Sequence, residues 1–296
     1  MINRHVLMSD VSYFADDQPI NPFMSKEVPI NRTIAQQEHT SLKQAFESAG
    51  MTVTQVAAPR DCQDGVFTAN WALVRGDTAV LARLPNARQA EEAYAKRTLE
   101  QLGKTVHQLP EGLLFSGQGD ALACGNLLFC GSGYRSDKKA QQLAADLLGF
   151  QCIQLQTVPQ LDDDGTPVIN AYSGLADSFY YDIDLALAIL KHPVYNNHGE
   201  ITTPGLVAWC PRAFIPESQQ RIRSLVGVTL IEVSESEAVQ HFACNLVSTG
   251  TTVIVNAGAT QFARDIKAHG LNVITLNNPE LAKGGGSMRC CSLTLD

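Results

Sequence analysis

Short apolar runs alternate along the chain with polar stretches in which apolar residues recur every three or four positions, and the order returns about every fifty residues. TANWALVR and TAVLAR flank a turn at Gly76 and Asp77, and the polar segment 87–103 then leads to TVHQLP. This pattern predicts strand, strand, helix, strand. It recurs in ALAC, the turn Gly125–Asn126, LLFCGS, the helix 136–149 and CIQLQT. A third unit has DIDLALAIL, a longer excursion through Asn196 and Gly199, LVAWC, a helix near 217–226 and TLIEVS. A fourth has ACNLVS, a turn at Gly250, TTVIVNA, the helix 260–270 and NVITLN. HVLMSD, the helix 36–50 and TVTQVA lack one hairpin partner, which the final segment CSLTLD supplies, so a fifth unit is split between the two ends.

The helices carry apolar residues at helical spacing, as in Leu143, Leu147 and Leu148, and end near Gly50, Gly103, Gly149 and Gly270, each suited to a left-handed cap. Each unit hides only part of its apolar face, so its neighbours must cover the rest. The expected fold class is α/β, a five-fold pseudo-symmetric propeller of ββαβ units forming a single domain over 1–296. Only Lys191 to Gly205 reads as a loop long enough to be an insertion, either a lid or rim or an unstructured surface excursion.

The net charge of -8 and sequence pI near 5.4 leave no basic stripe, which argues against a nucleic-acid or anionic-membrane partner and points to a small molecule. The first residues carry acids where a signal peptide is apolar, and no long uncharged apolar run follows, so a cytoplasmic location is expected. Eight scattered cysteines without paired CxxC spacing read mainly as reduced core thiols. An exposed strand edge or apolar patch would support a homodimer, although no particular segment marks one.

In a five-fold arrangement the strand ends and the loops that follow them face a central axis, and the segments singled out as candidates are GVFTANW, FSGQGDAL, FYYDIDLAL and KGGGSMRCC. Three glycines deliver Cys290, whose thiol becomes a nucleophile if positive charge or backbone dipoles lower its pKa. The alternative is a flexible bend before two buried cysteines. Asp120 can take paired hydrogen bonds from a planar guanidinium, or it can be a turn aspartate. Asn70 is similarly located. On a strand, Asp182 and Asp184 would share one face; without further acids or histidines nearby the pair makes a poor metal site, and no metal or cofactor is expected.

Together INPFM, VFTAN, GQGDAL, GYRSD, ACNLVS and GGGSMRC resemble the motifs of the guanidino-group modifying (pentein) superfamily along nearly the whole chain. The likeness is greatest to dimethylarginine dimethylaminohydrolases and arginine dihydrolases. The resemblance implies a cysteine hydrolase or amidinotransferase acting on the guanidinium carbon of arginine or a methylated arginine, through a covalent thiouronium. It puts Cys290 on the nucleophile, Asp120 on the guanidinium-binding carboxylate and Asn70 near the guanidinium. Arg135, and more loosely Arg83, fall on substrate-carboxylate binders, and Asn21 on a substrate-covering loop.

Two positions depart from the family pattern. Asp182 stands where relatives carry the catalytic histidine, with Asp184 on the aspartate behind it, and Ser116 stands where they usually carry glutamate. A histidine with a pKa near 6.5 exchanges protons at neutral pH, whereas an ordinary aspartate near 3.9 stays ionised. Asp182 therefore serves as an acid only if burial or a second carboxylate raises its pKa by roughly 2 to 3 units. Three readings stay open: a guanidino or ureido hydrolase with a rearranged proton relay, a non-catalytic binder of arginine-like ligands, and an amidinotransferase. His192, His198 and His241 are the available substitutes for the missing imidazole.

Overall fold

The computed structural model describes residues 1–296, the side chain of Asn86 excepted. In the first unit, β1 (His5–Ser9) is followed by α1 (Arg32–Ser48) and β2 (Thr52–Val56). The second has β3 (Ala72–Arg75), β4 (Thr78–Leu81), α2 (Ala90–Gln101) and β5 (Thr105–Gln108). The third has β6 (Ala121–Cys124), β7 (Leu127–Gly131), α3 (Lys138–Leu148) and β8 (Gln151–Leu155). The fourth begins with β9 (Leu187–Lys191), adds a hairpin of β10 (Val194–Tyr195) and β11 (Ile201–Thr203), and continues with β12 (Gly205–Trp209), α4 (Pro216–Arg223) and β13 (Val228–Glu232). After α5 (Glu235–His241) come β14 (Val247–Ser248), β15 (Thr252–Asn256), α6 (Thr260–Ala268) and β16 (Asn272–Leu276). α7 (Pro279–Lys283) precedes β17 (Leu293–Thr294), which pairs antiparallel with β1.

The same three-stranded sheet forms in every unit: its first strand runs antiparallel to the second, and the helix returns the chain to a parallel third strand. Sequence explains the placement. The second strands are near-continuous apolar runs such as Gly205–Trp209 and are buried along their length, as strands covered on both faces require. The third strands, such as TVHQ, alternate with polar residues and lie at the outer edge, where charge and polarity discourage pairing with another chain. The first strands are short, buried and innermost.

Gly50, Gly103, Gly149 and Gly270 all have positive φ, in agreement with the expected helix caps. The buried face of α3 is formed by Ala140, Ala144, Ala145 and Leu148, while Leu147 is 49% exposed, so the leucine triplet overstates that helix's inward face. Small alanines let the helix lie close on Leu73 and Leu128 of the neighbouring strands. At α1, the Asn31 side chain accepts from the Thr33 and Ile34 amides at 3.1 and 3.2 Å, a cap worth about 1 kcal/mol.

Three expectations need correction. Lys191 to Gly205 is not an irregular loop but largely the β10/β11 hairpin. Its Pro193 and Tyr195 pack beside Gly125, in the turn between β6 and β7. It is also not the only long insertion: 10–31 and 156–186 run without named strands, the latter held by the isolated bridges Leu161↔Pro167 and Ile169↔Ala176. TANWALVR is not one strand, because Thr68–Trp71 forms a 3₁₀ turn before β3. The cysteines are free thiols, all buried except the half-buried Cys152. No helix is long and apolar enough to cross a membrane.

Candidate active site

The five units each bring a polar residue to the entrance of an innermost strand. Asn70 lies in the 3₁₀ turn before β3, Asp120 follows the turn Gly117–Gly119 before β6, and Asp184 lies in the turn Ile183–Leu185 before β9. Asn245 precedes β14, and Cys290 precedes β17. Asp182 and Asp184 therefore meet through a tight turn, not through the strand alternation expected for them. Gly119 permits this convergence: a Cβ there would collide with the Asn70 amide and lie 2.8 Å from Asp182 Oδ2.

Cys290 is 3% exposed, and its Sγ lies 3.3 Å from Asp184 Oδ2. Asn245 donates from Nδ2 to this sulfur at 3.1 Å, while its Oδ1 accepts from the Cys290 and Ser287 amides at 3.2 and 2.9 Å. One side chain thus holds both the thiol and the loop that carries it. Asn245 went unnominated in the sequence, although ACNLVS contained it; an asparagine entering a buried strand was the available signal. Gly285, at φ 89°, shapes the loop that carries Cys290, and Asn21 donates to the neighbouring Gly284 carbonyl at 3.0 Å. Asn21 accordingly clips segment 10–31 to that loop.

The acids are buried and incompletely partnered. Asp120 Oδ1 accepts from the Ile183 amide at 3.0 Å, and Asp182 Oδ2 accepts from Asn70 Nδ2 at 2.7 Å. Asp120 Oδ2, Asp182 Oδ1 and Asp184 Oδ1 have no hydrogen-bond partner among the described residues. Burial raises all three carboxyl pKa values, and the charge on Asp182 adds to the rise at Asp120 and Asp184. At Asp182 the nearby Arg135 and Asn70 oppose the rise. Burial, then Asp184 and Asp182, holds the Cys290 thiol well above its ordinary value. The ligand-free site therefore favours neutral groups.

Behind Asn70 is a second charged cluster that the sequence reading did not identify. Arg88 donates to both carboxylate oxygens of Glu91 at 2.7 and 2.8 Å, to Asn70 Oδ1 at 2.7 Å, and to the Asp64 and Phe67 carbonyls. Trp71 also donates to Glu91 at 2.9 Å. Asn70 consequently bridges this cluster to Asp182, and its Nδ2 also faces Ser116 Oγ at 2.8 Å.

Arg135 is buried, donates to the Ile20 carbonyl at 2.7 Å, and lies 4.1 Å above the Tyr181 ring. Tyr181 donates to the Gly285 carbonyl at 2.5 Å. Segment 156–186 meets segment 10–31 here through Asn170 to the Pro19 carbonyl and Lys26 to Tyr172. These two segments, not the 191–205 excursion, lie beside the Arg135 side of the site. Arg83 is not brought to this cluster; it binds the Leu109 carbonyl and pairs with Glu92 at 3.4 Å. A similar departure applies to the histidines: His192 contacts the Ala123 carbonyl, His198 lies in the exposed β10/β11 hairpin, and His241 ends α5. No histidine ring among the described residues hydrogen-bonds to Cys290, Asp182 or Asp184.

Residues 11–169 match the family described as N,N dimethylarginine dimethylhydrolase, eukaryotic. The chain belongs to the dimethylarginine dimethylhydrolase family. It is 28% identical over 296 residues to N(G),N(G)-dimethylarginine dimethylaminohydrolase of Mycobacterium tuberculosis, covering 99% of this chain and 86% of that protein. It is 30% identical to the bifunctional arginine dihydrolase/ornithine cyclodeaminase AgrE of Nostoc, covering 97% of this chain but only 37% of that longer protein. The N-terminal domain of the cyanobacterial arginine dihydrolase ArgZ, solved with product bound, superposes with a TM-score of 0.83 at 27% identity, covering 99% of this chain and 97% of that domain. The fold is thus the pseudo-five-fold pentein propeller, and family membership makes this chain a hydrolase of C–N bonds in arginine derivatives.

Proposed function

We propose that this family member hydrolyses the guanidino group of arginine, with Cys290 as nucleophile and Asp182 as proton carrier, from a single cytoplasmic domain spanning 1–296. The observation that carries the reading is the cluster of Asp120, Asp182 and Asp184 beside Cys290, each acid retaining an oxygen without a partner. A singly substituted guanidinium offers five N–H donors and a positive charge, which satisfies such acceptors. Every N-methyl group removes a donor, so the acid cluster favours unmethylated arginine. Relatives support this substrate class: AgrE has been solved with L-arginine and ArgZ as an arginine dihydrolase with product.

The bound cation lowers the Cys290 pKa, and the thiol proton passes to Asp184 across the 3.3 Å contact. The thiolate attacks the guanidino carbon. Asp182, whose pKa burial raises, donates a proton to the departing nitrogen as the C–N bond breaks and ammonia leaves. Asp182 then accepts a proton from water, which attacks the resulting thiouronium; the C–S bond breaks, the remaining hydroxyl proton is released and taken up by ammonia as ammonium, the ureido product forms, and Asp184 returns its proton to sulfur. Asn70 and Ser116 orient Asp182, while Arg135 supplies the cation for the substrate carboxylate.

The missing imidazole favours a second reading, capture of arginine without turnover. Incubation with arginine, monomethylarginine and dimethylarginine, followed by product analysis and intact mass, separates the two. Ammonia release or an adduct that disappears in Cys290→Ser supports hydrolysis; saturable arginine binding with neither product nor adduct overturns it.

A further inference from the structure

The inner strands lead away from the acid cluster to a cavity of about 380 Å³ on the far face. Leu73, Leu122, Leu187 and Leu246 line it, while Gln118 and Arg289 close the end adjoining the acid cluster, being chain neighbours of Asp120 and Cys290. Arg289 is 8% exposed and is a cation among neutral acceptors. Its guanidinium donates to Gln118 Oε1 at 2.7 Å, Thr294 Oγ1 at 3.0 Å and the Ser292 carbonyl at 3.4 Å.

Among the described residues Arg289 enters no salt bridge, and its Nε donates no hydrogen bond. This differs from Arg88, which is buried against a bidentate carboxylate. Arg75 adds positive charge to the lining; Arg4 pairs with Asp296 at 3.8 Å, and that carboxylate is also held by the Arg4 and His5 amides. A buried guanidinium without a counter-ion, at the end of a half-apolar cavity, is complementary to one planar anionic group carrying an apolar body.

We propose that this far-face cavity binds a small organic carboxylate, its charged end on Arg289 and its hydrocarbon body between Leu73, Leu122 and Leu246. A bare phosphate fits less well, because it leaves the leucine walls uncovered. The site is separate from the acid cluster yet joined to it: Arg289 precedes the nucleophile, and Gln118 lies in the turn that presents Asp120. Arg289 also helps lower the Asp184 pKa, so an anion on its guanidinium weakens an electrostatic support of the catalytic face.

Titration calorimetry and ligand-observed NMR with hexanoate test the proposal, beside hexan-1-ol, hexylammonium and inorganic phosphate. Hexanoate is expected to bind saturably, without being displaced by saturating arginine, and more tightly than the other three probes. Arg289→Gln should weaken it roughly tenfold or more, the range for removing a charge-assisted pair. Ala123→Phe, which fills the cavity from its wall, should abolish binding while circular dichroism and thermal unfolding report a folded chain. Equal binding of hexan-1-ol, displacement of hexanoate by arginine, or undiminished affinity in either folded variant overturns the proposal. If Arg289→Gln does not fold, Ala123→Phe decides.

Discussion

Two buried polar clusters meet at Asn70 and differ in how completely they are satisfied. On one side, Arg88 and Glu91 consume one another's hydrogen-bonding capacity and take in Trp71 and two backbone carbonyls. On the other, Asp120, Asp182 and Asp184 each keep an unpartnered oxygen around a buried thiol. Burial is equally complete in both, so burial alone does not distinguish structure from function. What distinguishes them is residual capacity. The first cluster is finished by the fold and positions Asn70; the second keeps acceptor capacity that the proposed substrate, with its donors and positive charge, would satisfy.

The largest effect should come from Cys290→Ser. Turnover of arginine is expected to fall by at least about 10³-fold with little change in unfolding temperature, because the poorer nucleophile replaces sulfur in the same loop. Preserved turnover would remove Cys290 from the chemistry and with it the functional side of the comparison. Arg88→Met should destabilise the fold by about 3–5 kcal/mol in denaturant titration, since Glu91 is left buried and unpaired. A variant as stable as the parent would mean that the satisfied cluster is not structural.

Asp120→Asn provides the converse. Ligand-free stability is expected to hold or rise by about 1 kcal/mol, because the cost of keeping a buried carboxyl neutral above its ordinary pKa is removed, while arginine affinity drops about 100-fold or more by calorimetry. Loss of stability without loss of affinity would reverse the assignment of the two clusters.

A finer test is pH. The raised carboxyl groups bind more protons in the folded than in the unfolded chain once pH exceeds their ordinary range near 4. Their favourable contribution is therefore present in acid and lost as pH rises through the folded values. Arginine reverses the trend by favouring the ionised acids. Differential scanning fluorimetry from pH 5 to 8 should find that arginine's stabilisation grows with pH; a stabilisation independent of pH would dissociate binding from the acids.

The repeat was legible because each unit writes its own pattern: an apolar hairpin, a helix with an inward face, and a third strand with polar alternation. Even the unit divided between the ends could be read, because HVLMSD lacked an edge that CSLTLD could fill, and β1 pairs with β17 as that reading requires. Cys290, Asp120 and Asn70 were visible through motifs located where strands begin. Arg83 rested on the resemblance alone, and its position away from the acid cluster is set by Glu92 and the Leu109 carbonyl, partners that come from tertiary packing. Arg88 was missed because it sits in a polar stretch that reads as a solvated helix start.

The amino-acid order by itself determined the strands, the helices, their grouping in fives and the chemical types gathered at strand entrances, since these follow from local periodicity and turn residues. Only the tertiary structure decided that Asn245 grips Cys290, that Asn70 joins a satisfied cluster to an unsatisfied one, and that Asp182 and Asp184 meet through a turn. It also set segment 156–186 against segment 10–31 beside Arg135 and opened a cavity behind Arg289. Those outcomes depend on which groups from distant units exclude water from one another, and hydrogen-bond capacity left over after burial is a property of the assembled fold.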